Sequence, residues 1–264
     1  MLAFHNDPAI KKFYTDRVDA HRAADEIRHG VYWEHGKGCA VGCTIHSGYH
    51  MCYELEIGFP LILAYVEDGI FEALGPPYDK NWPCDFLEAA PVGADLSLVW
   101  PHFFLQLATD MKYGMLQYVQ EKKFERQKAA INAAIHIYTM WITEKNKPAR
   151  TVLAAARASA EVAAALAALK AAERWALRQA AENGEMEADE GWAAGEASAW
   201  AVGAAAESAL RAAAENPKQA AKASFRAAAA AGTEGSERKY AARLWQSRTL
   251  LALLREAPVK QFEE

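Results

Sequence analysis

Alanine makes up 40 of the last 114 residues. That bias constrains the fold more than any other feature. Alanine loses no side-chain entropy in a helix and is the strongest helix former, whereas strands favour branched and aromatic residues. The spacing predicts a helix from about 150 to 183, closed by Gly184. A second runs over 188–215. A third begins at Asn216-Pro217, a cap with proline just inside, and stops at Gly232. A fourth starts near Ser236 and ends before Pro258. Alanine buries little area, so such helices must pack closely around a few large anchors, among them Leu153, Leu166, Trp175, Trp192, Trp200 and Leu210. Small residues in "AWAVGAAAESA" permit the same close approach between subunits. We therefore expect an antiparallel bundle and a homodimer formed through it.

The composition changes near Pro148. All eight histidines and all four cysteines precede it. We expect two domains, 1–148 and 149–264. The first also reads as helical, which makes the chain all-α. Asn6-Asp7-Pro8 opens a helix to about Arg28, with Ile10, Phe13, Tyr14, Val18, Ala24 and Ile27 as its core stripe. Pro60 opens another, closed by Gly75-Pro76-Pro77, and residues 120–146 form a long amphipathic one carrying His136 at the edge of its apolar face. "MKYGMLQYV" has the look of a short strand pair.

Chemistry concentrates in "YWEHGKGCAVGCTIHSGYHMC", residues 32–52. Read as a helix over 39–50, Cys39, Cys43, His46 and His50 fall within an arc of roughly 60°, away from Val41 and Ile45. Such donors would suit zinc. Four ligands spread over about 16 Å of helix cannot all reach one ion, so further ligands would come from His21, His29, His35, Asp25, Glu67, Asp68 or Glu72. A second reading makes Cys39 a reactive thiol at a helix N-terminus behind Gly36-Lys37-Gly38, with His46 or a histidine of the first helix as base and Glu34 orienting it. The glycines at 36, 38 and 42 miss the dinucleotide-binding spacing by one residue. The plainest reading is that they let backbones approach closely while small cysteines fill the gaps. For any one residue here, that reading carries at least as much weight as a ligand role.

The stretches "FHNDP", "YTDRVDAHRAADEI", "YWEHGKGCAVGCTIH", "ELEIGFP", "VEDGIFEAL" and "PVGADLSLVWP" resemble an uncharacterised family of phage and bacterial proteins. The similarity covers roughly residues 4–110, and members often carry an alanine-rich, tryptophan-dotted tail. The resemblance implies no assigned activity. It does imply an accessory protein of phage or mobile-element type that binds a host factor.

A net charge of −5 gives no support for binding a nucleic-acid backbone. The start, "MLAFHNDPAIKKF", has no apolar core of a signal peptide, and no membrane span is expected. Four cysteines in a chain this long are not a disulfide framework, which points to a reducing cytoplasm. The function expected is a non-enzymatic binding or inhibitor protein acting on a host protein or on its own copies. The alternative is a metal- or thiol-dependent enzyme centred on Cys39, Cys43, His46 and His50.

Overall fold

The computed structural model describes residues 1–149, 151–158, 160–161, 190–214, 216–232 and 236–260; the side chains of 190–196 and 200 lie outside that description. The described chain is all-α apart from one two-residue hairpin. Most of the helix expected over 150–183 falls outside the described residues, although 151–158 is helical. Trp175 and the side chains of Trp192 and Trp200 fall outside as well.

The chain forms two compact units, Met1–Phe103 with Arg243–Glu264, and Phe104–Ala242. Position 148 lies inside the second unit, so composition and packing divide the chain at different places.

In the first unit, α1 spans Pro8–Ala23. Its start matches the sequence: Asp7 caps it by accepting from the Ala9 amide at 2.7 Å, with Pro8 in the first turn. It ends five residues before Arg28. Asp25 adopts a left-handed conformation (φ 53°), and Ile27 then bridges Gly38 in parallel. Tyr14 and Val18 are buried as expected, but Phe13 is 54% exposed and belongs to no core.

Strands β1 (Trp33–Glu34) and β2 (Lys37–Gly38) form an antiparallel hairpin. Its two linking residues, His35 and Gly36, both have positive φ, the conformation a two-residue hairpin turn requires. Helices α2 (Ala40–Ile45), α3 (Cys52–Ile57), α4 (Leu61–Ala73) and α5 (Trp82–Ala89) follow. Helix α1 packs on α2 and α5, and α2 on α4. Large side chains fill this unit: Phe4, Tyr53, Phe59, Phe71, Phe86 and Trp100 are all almost fully buried.

The division between units falls within α6 (Val99–Thr109) and again within the last helix. After α6 the expected strand pair is absent. Asp110 accepts from the Lys112 and Tyr113 amides, and a 3-10 turn over Met115–Val119 follows. The Asp110 side chain captures the backbone donors a strand would need. Helix α7 (Glu125–Glu144) then leads to α8 (Glu190–Ala214), α9 (Gln219–Ala231) and α10 (Ser236–Arg255). His136 is exposed on α7. Helix α9 starts two residues after Pro217, because Asn216 and Pro217 form a preceding turn through their carbonyls.

Helices α8 and α9 pack on each other along alanine faces. Ala201, Ala205 and Ala209 recur every four residues on α8 and are buried, as are Ala220, Ala223 and Ala227 on α9. Ser198 donates across this contact to the Ala230 carbonyl at 3.1 Å. No helix among the described residues is long and apolar enough to cross a membrane.

Candidate functional site

The residues at 39–50 do not form one helix. Cys39 is the extended N-cap of α2, and His46 ends it in a left-handed conformation (φ 51°, ψ 38°), with its amide donating to the Gly42 carbonyl. His50 lies beyond, in the turn before α3. Helix α2 is therefore six residues long, and the shared arc of Cys39, Cys43, His46 and His50 does not exist. Ser47-Gly48, read through in the helical interpretation, is where the chain turns away.

The glycines serve close approach. The Tyr32 carbonyl passes so near Gly38 and Gly42 that a Cβ at either position would overlap it. Cys39 donates its amide to the Val31 carbonyl at 2.6 Å, which fixes the hairpin against the start of α2. The Cys43 thiol donates to the Gly38 carbonyl at 3.3 Å. Both thiols are buried. Burial, and next the Asp68 carboxylate, push the Cys39 thiol well above its ordinary range. Burial pushes Cys43 up to about 12. Both stay protonated at neutral pH, the opposite of what an activated nucleophile needs.

Three histidines of this region, His50, His29 and His21, meet carboxylates. His50 sits 3.3 Å from Asp68, with its ring stacked on Tyr65 at 4.4 Å. His29 contacts Asp79 at 3.0 Å and Glu72 at 3.5 Å, its ring stacked on Phe71. His21, on the last turn of α1, contacts Glu26 at 2.7 Å through Nδ1 and His46 at 2.7 Å through Nε2. The His46 ring lies flat on Trp33, 4.4 Å between centroids. His46 is surface-exposed, yet partial desolvation of the ring, then Arg17 and His21, hold its imidazole below the ordinary range. The orienting carboxylate is thus Glu26. Glu34 is exposed on β1.

Glu67 and Tyr53 are buried together, with Asp68 acting on Glu67. Glu67 is fully buried, and neither of its carboxyl oxygens nor the Tyr53 hydroxyl has a hydrogen-bond partner among the described residues. Burial raises the Glu67 carboxyl well above its ordinary value, with Asp68 adding to the effect and Tyr53 opposing it. Asp68 links this pair to Cys39 and His50.

Among the described residues, no three His, Cys, Asp or Glu side chains stand close enough to hold a metal ion. Cys39 and His50 lie on the Asp68 side, while His46 lies with His21 and Glu26. Sequence reasoning placed His21 among the accessory donors but missed its pairing with His46, a contact 25 residues apart.

Several large apolar side chains in and near this segment are exposed. Tyr32, Tyr49, Met51, Leu55 and Phe13 are each more than half exposed. Tyr32 meets the His50 ring edge-on at 5.5 Å, and Tyr49 and Met51 flank that histidine in the chain. Met51 and Leu55, four residues apart, share a face of α3. Phe13 adjoins Tyr14, whose hydroxyl donates to Glu56 at 2.6 Å.

No family model, curated protein or solved structure matches this chain.

Proposed function

We propose that the chain works as a binding or inhibitor protein and docks a protein partner on the surface formed by Phe13, Tyr32, Tyr49, Met51 and Leu55. The observation that carries this reading is the exposure of five large apolar side chains, four of them within residues 32–55. Aromatic residues and methionine dominate interface cores, and a grouped apolar surface is costly to leave in water. The resemblance to phage and bacterial proteins favours a host protein as the occupant. Reducing cytoplasm is the compartment that four free cysteines suit. Self-association through the alanine-rich helices belongs to the same reading; sedimentation at micromolar concentration should then give about twice the monomer mass.

A photo-crosslinking amino acid tests the docking surface in cells of the native host. Placed at Tyr49 or Leu55, it should give one discrete adduct, lost when Met51→Asp is added. Placed at Met111, which is 97% exposed in the other unit, it should give none. No adduct at 49 and 55, or the same adducts at 111, would overturn the reading.

A further inference from the structure

With His21 neutral, its two contacts set both histidine tautomers. A carboxylate accepts only, so His21 carries its proton on Nδ1 and donates it to Glu26 Oε2 at 2.7 Å. In the neutral His21 ring, Nε2 is then an acceptor. The hydrogen bond of 2.7 Å between the two Nε2 atoms requires His46 to be the donor there. His46 therefore holds its proton on Nε2 and its lone pair on Nδ1. No hydrogen bond within the described protein occupies that Nδ1, and the residue is exposed.

Three further features keep the lone pair in place. The ring is clamped flat on Trp33. The His46 backbone is held left-handed, an unfavourable conformation for a residue with a Cβ. The charged and titratable groups acting on the ring are Arg17, His21, Glu56 and Glu26. Arg17 is anchored by donating to the Thr44 carbonyl at 2.9 Å, with its guanidinium over the Phe13 and Tyr14 rings.

We propose that Glu26, His21 and His46 form a proton relay whose working end is Nδ1 of His46, and that its ligand is a protic group, a hydroxyl, water or acidic C–H. The ligand's proton moves to Nδ1. The Nε2 proton of His46 moves to His21 Nε2, and the His21 imidazolium so formed stays paired with the Glu26 carboxylate. Arg17 is the cation that acts on this ring. The neutral state of the His46 imidazole at neutral pH suits an acceptor of this kind. The relay stands apart from the docking reading, and either can fail alone.

Two measurements on the full chain test it. Nitrogen-15 correlations in the wild type should show His21 protonated on Nδ1 and His46 on Nε2; the opposite tautomer at His46, or a rapidly exchanging mixture, overturns the proposal. Diethyl pyrocarbonate is the chemical probe. The Nδ1 lone pair of His46 attacks one carbonyl carbon, a nitrogen–carbon bond forms, ethyl carbonate leaves, and the Nε2 proton departs through His21. His46 should be modified fastest of the eight histidines. Glu26→Gln keeps an acceptor for His21 but removes the charge, and should slow His46 several-fold while leaving exposed His102 and His136 unchanged. Modification of His46 no faster than those two, or unaffected by Glu26→Gln, overturns the relay. Should Glu26→Gln fail to fold, the wild-type tautomers decide.

Discussion

The two units solve the problem of filling an interior in opposite ways. The first uses large aromatics, and the gaps between them admit polar groups: Thr44, His50, Glu67 and Asp79 are all buried there. The described helices α8 and α9 of the second use alanine. The buried polar side chains described on those helices are serines; Ser198 donates to the Ala230 carbonyl and Ser208 accepts from Arg226 at 2.6 Å. Alanine faces bring backbones together and leave no room for a buried carboxyl. Large, irregular side chains leave such room, so titratable chemistry collects in the first unit. Even there, one spot is packed backbone to backbone, where Tyr32 crosses Gly38 and Gly42.

That contrast breaks most sharply at Gly42. A single added methyl would meet the Tyr32 carbonyl, which belongs to backbone and cannot rotate aside. Gly42→Ala should cost about 3 kcal/mol, read by denaturant unfolding. A loss below that of an ordinary surface change would mean that the hairpin is not seated on α2.

Glu67 gives the next largest effect. Its folded carboxyl binds a proton more tightly than the unfolded one. The stability that this proton contributes is present below the unfolded value and is lost as pH rises toward the folded value. Through that window the wild type should lose up to about 1.4 kcal/mol per pH unit relative to Glu67→Gln. Parallel stability–pH curves for the two proteins would show that Glu67 is ionised and paired.

In the second unit, Ala205→Gly should cost about 1 kcal/mol through lost helix propensity, with a further contribution from the α8–α9 contact. The smallest effect belongs to Leu55→Asp. Its side chain is 74% exposed, so unfolding should shift by less than about 0.5 kcal/mol while any docking at this surface is lost.

Much of the architecture was legible in the sequence. Alanine content declared the helices, and Asp7-Pro8, Pro60 and Gly232 marked their ends. The site was less so, for a local reason and a distant one. Locally, periodicity carried the helix through Ser47-Gly48, where a left-handed His46 stops it; the glycine was the available signal. At a distance, no spacing rule links His21 to His46 or His50 to Asp68, because those pairs depend on how α1 and α4 lie against the hairpin segment. The role of the glycines was readable, since close approach is what a residue without a Cβ permits.

The central claim is that the chemistry of residues 32–52 belongs to the histidines and that the thiols are packing. Timed alkylation of the native protein at neutral pH, mapped by mass spectrometry, tests it most directly. Cys52, partly exposed, should label first. Cys84, buried but slightly less so than Cys39 and Cys43 and held up to about 12 by burial and its bond to Asp19, should follow slowly. Cys39 and Cys43 should label only on unfolding. Rapid labelling of Cys39, ahead of Cys84, would contradict the account and restore Cys39 as a nucleophile.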